Sequence, residues 1–171
     1  MDAFGKIIAV FAGIILLFIA PLLYMAQKQD AINQLYVTQE TIKLVDSIRA
    51  GGELNRNMYY DYINRIDKTG NLYDIEITHA HSRVAPDYDE VTDTVGDTIS
   101  SYYYNTYEDE IFETFDQGRE YQFSQGDYIT VKVMNRNKTM AQRMLIYRGR
   151  EGKEEVSILI TYGGLIRDET D

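Results

Sequence analysis

The hydrophobic and polar positions of this chain change rhythm several times, and the first stretch has no polar rhythm at all. From Ile7 to Ala26 the sequence reads IIAVFAGIILLFIAPLLYMA, twenty residues without a charge. At about 1.5 Å of rise per residue, such a helix spans the roughly 30 Å hydrocarbon core of a bilayer. Ile7, Phe11, Gly13, Leu17, Pro21 and Leu22 mark the predicted membrane span. A secretory signal peptide has an apolar core of only about 7–15 residues and then a small-x-small cleavage site. Here the run is longer and the segment from Tyr24 to Gln29 offers no such triplet, so an uncleaved anchor is expected. Pro21 is tolerable because neighbouring groups can satisfy the carbonyl it frees.

Past the span the rhythm becomes helical. Ile32, Leu35, Ile42, Val45 and Ile48 recur at helix-compatible spacings, with Lys28, Asp30, Glu40 and Lys43 among the polar positions, until Gly51-Gly52. Glycine is a common helix terminator. One helix from Phe4 to Ala50 is therefore predicted, lipid-buried in its first half and amphipathic in its second. The alternative is an anchor followed by a separate helix. Met58, Tyr62 and Ile66 then predict a helix over Asn55–Lys68, ended by Thr69-Gly70-Asn71. Alternating apolar and polar residues predict a strand from Leu72 to His81, and Pro86 closes that region.

Between Val84 and Gly118 lie ten acidic residues, five tyrosines and no Lys or Arg. Its first half, with Asp87, Asp89, Glu90, Asp93 and Asp97, has little periodicity and reads as a loop. Thr106 followed by Glu108, Asp109 and Glu110 resembles a capping box, and Tyr107, Ile111 and Phe115 predict a helix from Tyr107 to Gln117. Asp127 to Met134 is a predicted strand. Met140 to Tyr147 fits either period; a strand at its end is favoured, because the polar turn Arg148–Lys153 precedes the apolar run Val156–Tyr162 and completes a hairpin. Gly163-Gly164 interrupts that run, and Leu165–Arg167 continues the strand past a bulge.

Together these elements predict an α+β fold: a long N-terminal transmembrane-plus-amphipathic helix packed on a small antiparallel sheet of three or four strands, with short extra helices. Residues 1–27 form the anchor, 28–50 the amphipathic continuation and 51–171 an acidic extracytoplasmic head.

Charge narrows the class. The formal net charge is −10 and there is no cysteine. Such acidity argues against nucleic acid or anionic lipid headgroups as partners, and the absence of cysteine removes disulfides and thiolate metal sites. Lys6 precedes the span, while after Lys28 no basic residue appears before Lys43. The positive-inside rule then places the N-terminus in the cytoplasm and the head outside a cell membrane crossed once. About 145 residues follow the span, enough for one domain with its own core.

Candidate chemistry is sparse. His79-x-His81 could share a strand face and join Asp87 and Asp89 at a metal, but two histidines at a strand end read first as polar surface, and no metal site is expected. The run DYDEVTDTVGDT fails as an EF-hand loop: Val91, Thr92 and Thr98 stand where an oxygen ligand, the glycine and the bidentate glutamate belong. A solvated acidic loop is expected there. No nucleophile elbow, phosphate loop or dinucleotide fingerprint is present, and Ser100, Ser101 and Ser124 have no identifiable base, so neither catalysis, a cofactor nor a small-molecule substrate is expected. Tyrosine stands out instead, at 15 residues against no Trp and six Phe. Tyr102, Tyr103 and Tyr104 cannot all enter one core and form a candidate interface.

The late proline in LLFIAPLL, the stretch ETIKLVDSIRAGG leaving the membrane, GDYITVKV after a glycine and the terminal ILITYGGLIRDE resemble pilins and pseudopilins. Most closely they resemble the TadE-type minor pseudopilins of tight-adherence, type IV-like pili. The resemblance implies a membrane-anchored pilus or secretion-apparatus subunit acting by helix–helix association with similar subunits, where Ala9, Gly13 and Ala20 allow close approach. No Glu lies in the span and Val10 occupies the fifth place after Gly5, so the implied role is an accessory or initiating subunit. The competing reading is a single-pass membrane protein whose acidic outer domain binds a partner or ion without any pilus.

Overall fold

A computed structural model describes residues 3–89, 94–146 and 158–167, with side chains outside 84–102 and 145–146. It begins with α1, Ala3–Gly51, a helix of 49 residues that passes through Pro21 without a break. From Ala3 to Met25 the side chains face outward, Leu23 alone being half-buried. This part is long and apolar enough to cross a membrane. From Ala26 the helix acquires a buried stripe: Ala26, Asn33, Val37, Glu40, Thr41, Leu44, Val45 and Ile48. Val45 and Ile48 of the expected stripe lie within it, but the first two members of that stripe do not. Ile32 and Leu35 are 56% and 59% exposed, whereas Glu40 is buried. The helix faces are set by what packs on them, and Glu40 is drawn inward by cations, as described below.

Gly52, at φ 67°, turns the chain into a two-residue strand β1, Glu53–Leu54. Asn55 then caps α2, Arg56–Ile66, its side chain accepting from the Met58 N–H at 2.9 Å. A single 3-10 turn, Asp67–Thr69, closes the predicted helical region at Gly70. α2 lies on α1 through two polar contacts. Thr41 and Tyr62 share a buried hydroxyl hydrogen bond of 2.8 Å. Glu40 receives Lys43 Nζ at 2.6 Å and Arg65 Nε at 2.7 Å.

The main sheet is antiparallel, ordered β3-β2-β5-β6, with β2 at Tyr73–Asp89, β3 at Thr94–Tyr107, β5 at Tyr128–Asn135 and β6 at Leu159–Leu165. Along β5 burial alternates, as a strand covered on one face requires: Ile129, Val131 and Val133 are buried, and the residues between them are not. These side chains, with Ile77 and Ile160, meet Val37, Leu44, Val45 and Ile48 of α1 and Tyr62 and Ile66 of α2 in one core. The lipid-type helix and the sheet are thus joined through the second half of α1 alone.

Four expectations fail in detail. The region read as a loop is a ribbon: β2 runs on through Pro86 to Asp89 and pairs with β3 from Thr78↔Tyr107 to Asp89↔Thr94, with a register shift between Pro86 and Tyr88. β5 accompanies β2 only as far as Ala80↔Tyr128. Beyond that point β2 has, among the described residues, a single neighbour, so Pro86 interrupts no second ladder. The acidic run Asp87–Thr98, weighed and set aside as a calcium loop, belongs to this region, and its residues 90–93 lie outside those described.

Helix α3, Glu108–Asp116, is present as predicted, but Tyr107 occupies the cap and Thr106 is a buried residue of β3 instead of the cap. Met140–Ile146 is helix, α4, and no strand forms there. Thr139 and Gln142 cap it reciprocally, each side chain bonding the other's backbone N–H, and Asp30 of α1 also accepts from Ala141 N–H at 3.3 Å. The predicted hairpin is therefore absent; β6 pairs with β5, and residues 147–157, with Val156, lie outside those described. Finally, β6 carries no bulge at Gly163-Gly164, whose pairing with Thr130 and Ile129 is continuous. A Cβ at Gly163 would press into the Ile129 carbonyl, and one at Gly164 would lie 2.5 Å from Arg49 Nε. That open space admits the Arg49 side chain, which crosses the strand to donate to the Leu165 carbonyl at 3.0 Å.

Candidate functional site

The most concentrated chemistry lies where β2 parts from β5. His79 and His81 are two apart on β2 and so share a face, while Asp127 sits immediately before β5, across the ladder from them. Their rings are 3.8 Å apart between centroids. His79 Nε2 is 2.8 Å from Asp127 Oδ2, and His81 Nδ1 is 3.5 Å from the same oxygen. Among the described residues this is the one group of three His, Asp or Glu side chains whose ligand-type atoms all lie within 4.8 Å of one another.

The carboxylate is held from several sides. Ser82 N–H donates to Oδ1 at 2.9 Å and Ser124 N–H to Oδ2 at 3.0 Å. The turn that presents it, Ser124 to Asp127, closes with Asp127 N–H on the Ser124 carbonyl at 3.0 Å and uses Gly126 at φ 89°. The Asp127 carbonyl in turn accepts Ile166 N–H at 2.8 Å, tying the turn to the end of β6. The remaining ring nitrogens meet hydroxyls: His79 Nδ1 lies 2.9 Å from the Oη of Tyr121, on the two-residue strand β4, Tyr121–Gln122, that pairs with β1, and His81 Nε2 lies 3.2 Å from Thr106 Oγ1.

Protonation follows from burial. His79 has no exposed surface, and this desolvation lowers its pKa although Asp127 opposes the shift. For Asp127 burial raises the pKa, but the Ser82 N–H, the His79 hydrogen bond and the Ser124 N–H together outweigh it, and the net shift is downward. The pair therefore stands as neutral imidazole and carboxylate, with His79 Nε2–H donating to Asp127 and Nδ1 accepting from Tyr121 O–H. Burial pushes Tyr121 up to about 12, so that hydroxyl stays protonated. Such a chain orients the rings but contains no activated nucleophile.

The candidate interface divides. Tyr104 stands opposite His81 in the ribbon and stacks on its ring, 4.7 Å between centroids and 15° between planes. Arg83 lies 5.7 Å over the same tyrosine ring. Tyr103, 55% exposed, points the other way and stays available for contact; the side chain of Tyr102 lies outside those described. His79 and His81 were the residues singled out from sequence, but as polar surface, and His79 is fully buried. Their acidic neighbour is Asp127; the side chains of Asp87 and Asp89 lie outside those described. Its one local signal was an Asp after Gly at the mouth of a strand, in SQGDYITVKV. A second concavity, of about 270 Å³, lies between Asn55–Asn57 and Phe115, Gly118, Arg119 and Glu120 and shares no lining residue with the cluster.

No protein-family model, curated protein or solved structure matches this chain.

Proposed function

We propose that this protein is a membrane-anchored minor subunit of a pilin-like pilus or secretion assembly, held by the first half of α1 and acting through association of that helix with its neighbours. One observation carries the reading: a single unbroken helix, Ala3–Gly51, is bare over its apolar half and packed on an antiparallel sheet over the other half. A helix that served only as a tether would need no rigid continuation into the head. Here α4 packs against α1, with Ala141 N–H on Asp30, and burial on α1 begins at Ala26, so the head begins close to where the apolar run ends and any tilt or withdrawal of that run moves the head with it.

Apolar side chains also remain bare beyond the span, at Ile32 and Leu35. Within the span, Ala9 and Gly13 are one turn apart, and a Cβ on Gly13 would touch nothing in the chain, which suits close approach of a second helix. Lys6 ahead of the span favours a cytoplasmic N-terminus and an outward head. The lack of a Glu in the span favours an accessory or initiating place over a bulk structural one.

Because the chain has no cysteine, Gly13→Cys introduces a unique thiol. Cross-linking in native membranes should capture a second single-span protein with an N-terminal helix of this type, identified by mass spectrometry of the adduct. Recovery of monomer alone, across a series of positions from Ala9 to Ala20, would overturn the proposal and leave a solitary anchor.

A further inference from the structure

We propose that His79, His81 and Asp127 form a binding site for a divalent transition ion of the zinc class, which fastens the β2–β3 ribbon to the start of β5. Ligand atoms at about 2.0–2.1 Å from a tetrahedral zinc lie roughly 3.3 Å from one another. The Asp127 Oδ2 distances to His79 Nε2 and His81 Nδ1 are 2.8 and 3.5 Å, bracketing that value. The two imidazole nitrogens also lie within 4.8 Å of each other, so side-chain adjustments on the order of an ångström bring all three atoms to a tetrahedral ion, and a three-ligand protein site leaves a fourth position for water.

The surroundings are those a metal site needs. A ligating imidazole must present a lone pair to the ion and donate its other N–H to an oxygen. With the ion on His79 Nε2, Nδ1–H points to Tyr121 Oη; with the ion on His81 Nδ1, Nε2–H points to Thr106 Oγ1. Neutral His79 accomplishes this by moving its one proton between nitrogens, with none lost. Backbone N–H groups of Ser82 and Ser124 already aim the carboxylate and leave it further lone pairs. Two nitrogen donors among three ligands favour zinc, copper or nickel over calcium or magnesium, which prefer all-oxygen shells.

Location supplies the consequence. Ala80↔Tyr128 is the last pair between β2 and β5, so the cluster sits at the point where the ribbon loses its second neighbour. An ion there would join β2 to the turn before β5 and fix the direction in which the ribbon leaves the sheet. The site is independent of the membrane reading and can hold or fail by itself.

The test uses the full-length chain in detergent, stripped with a chelator, dialysed and titrated separately with zinc, cobalt and calcium. The expected result is one zinc per chain with a raised melting temperature, a cobalt spectrum of the intense four-coordinate kind, and no response to calcium. His81→Ala, at a partly exposed position, should keep the far-ultraviolet dichroism of the parent and lose more than about 100-fold in zinc affinity. Thr106→Val should lose about 10–100-fold, as outer-shell partners do. If truncation at His81 unfolds the head, His81→Gln retains bulk beneath Tyr104 and gives the same reading. Absence of zinc uptake by the parent chain, or undiminished uptake by the folded His81 variant, would overturn the proposal and leave a purely structural His–Asp hydrogen bond.

Discussion

The two halves of α1 are one helix with one backbone, yet their side chains obey different rules. Before Ala26 apolar residues occupy every face and all but the half-buried Leu23 are exposed. After it, the buried stripe includes Asn33, Glu40 and Thr41, while Ile32 and Leu35 stay bare. The first half has the pattern that suits a membrane span, where lipid would solvate all faces equally. In the second half burial answers to particular partners, and a polar residue is admitted wherever its hydrogen bonds are satisfied. Hydrophobicity alone therefore locates the span but not the face that packs.

The largest effect should come from exchanging the two kinds of environment. Ile48 is fully buried against the sheet, and Ile48→Ala should lower head stability by about 2–5 kcal/mol, measured by denaturant unfolding in detergent. Leu17→Arg, at a position 72% exposed in mid-span, should leave that unfolding curve in place and instead impair membrane insertion, by about 2.5–3.5 kcal/mol, seen as loss from the alkali-resistant membrane fraction. A Leu17 variant that destabilised the head would show that the halves are not separable.

Next in size are the polar contacts that set the packed face. Thr41→Val keeps the shape but leaves the buried Tyr62 hydroxyl without its partner, and a loss of about 1–3 kcal/mol is expected. Tyr62→Phe in the same chain should recover part of it, because the orphaned hydroxyl is then gone. Glu40 contributes a pH dependence. The Lys43 hydrogen bond lowers its pKa most, burial works against this, and Arg65 adds to the lowering. With the folded value below the unfolded one, the unfolded chain binds more protons through that window. The contribution is thus present above about pH 4.5 and disappears as pH falls through the lowered value. Unfolding measured from pH 7 to 3 should show that decline, and Glu40→Gln should flatten this part of it.

What could be read along the chain follows the same division. The first half of α1 was legible from its unbroken apolar run, and the rest of α1, α2 and α3 because each repeats apolar residues at helix-compatible spacings and is bounded by a glycine or an Asn cap. The ribbon was not, because its acidic stretch shows little periodicity along the chain and its strand character comes from the long pairing of β2 with β3. The end of α4 was misread although Thr139 and Gln142 spell a capping box; the polar turn Arg148–Lys153 ahead of the apolar run Val156–Tyr162 suggested a hairpin and outweighed that signal. Asp127 was missed as the companion of His79 because 48 residues separate them and only the sheet register brings them together. Glu40 was assigned to solvent for the same reason: its cation on α2 is 25 residues away.

The smallest effect on stability is the most telling for the comparison. Ile32 and Leu35 continue the lipid half's habit of bare apolar side chains into the packed half, one turn apart and away from the sheet. Neither contributes to the core, so Ile32→Ser with Leu35→Ser should change head unfolding by no more than about 0.5 kcal/mol per site. If α1 meets neighbouring helices along its whole length, the same double variant should weaken the Gly13→Cys cross-link, because it removes apolar area from the shared face just beyond the bilayer. An unchanged cross-link would confine association to the span. A destabilised head would mean that the face defined by Val37, Leu44 and Ile48 is not the only one that holds α1 to the domain.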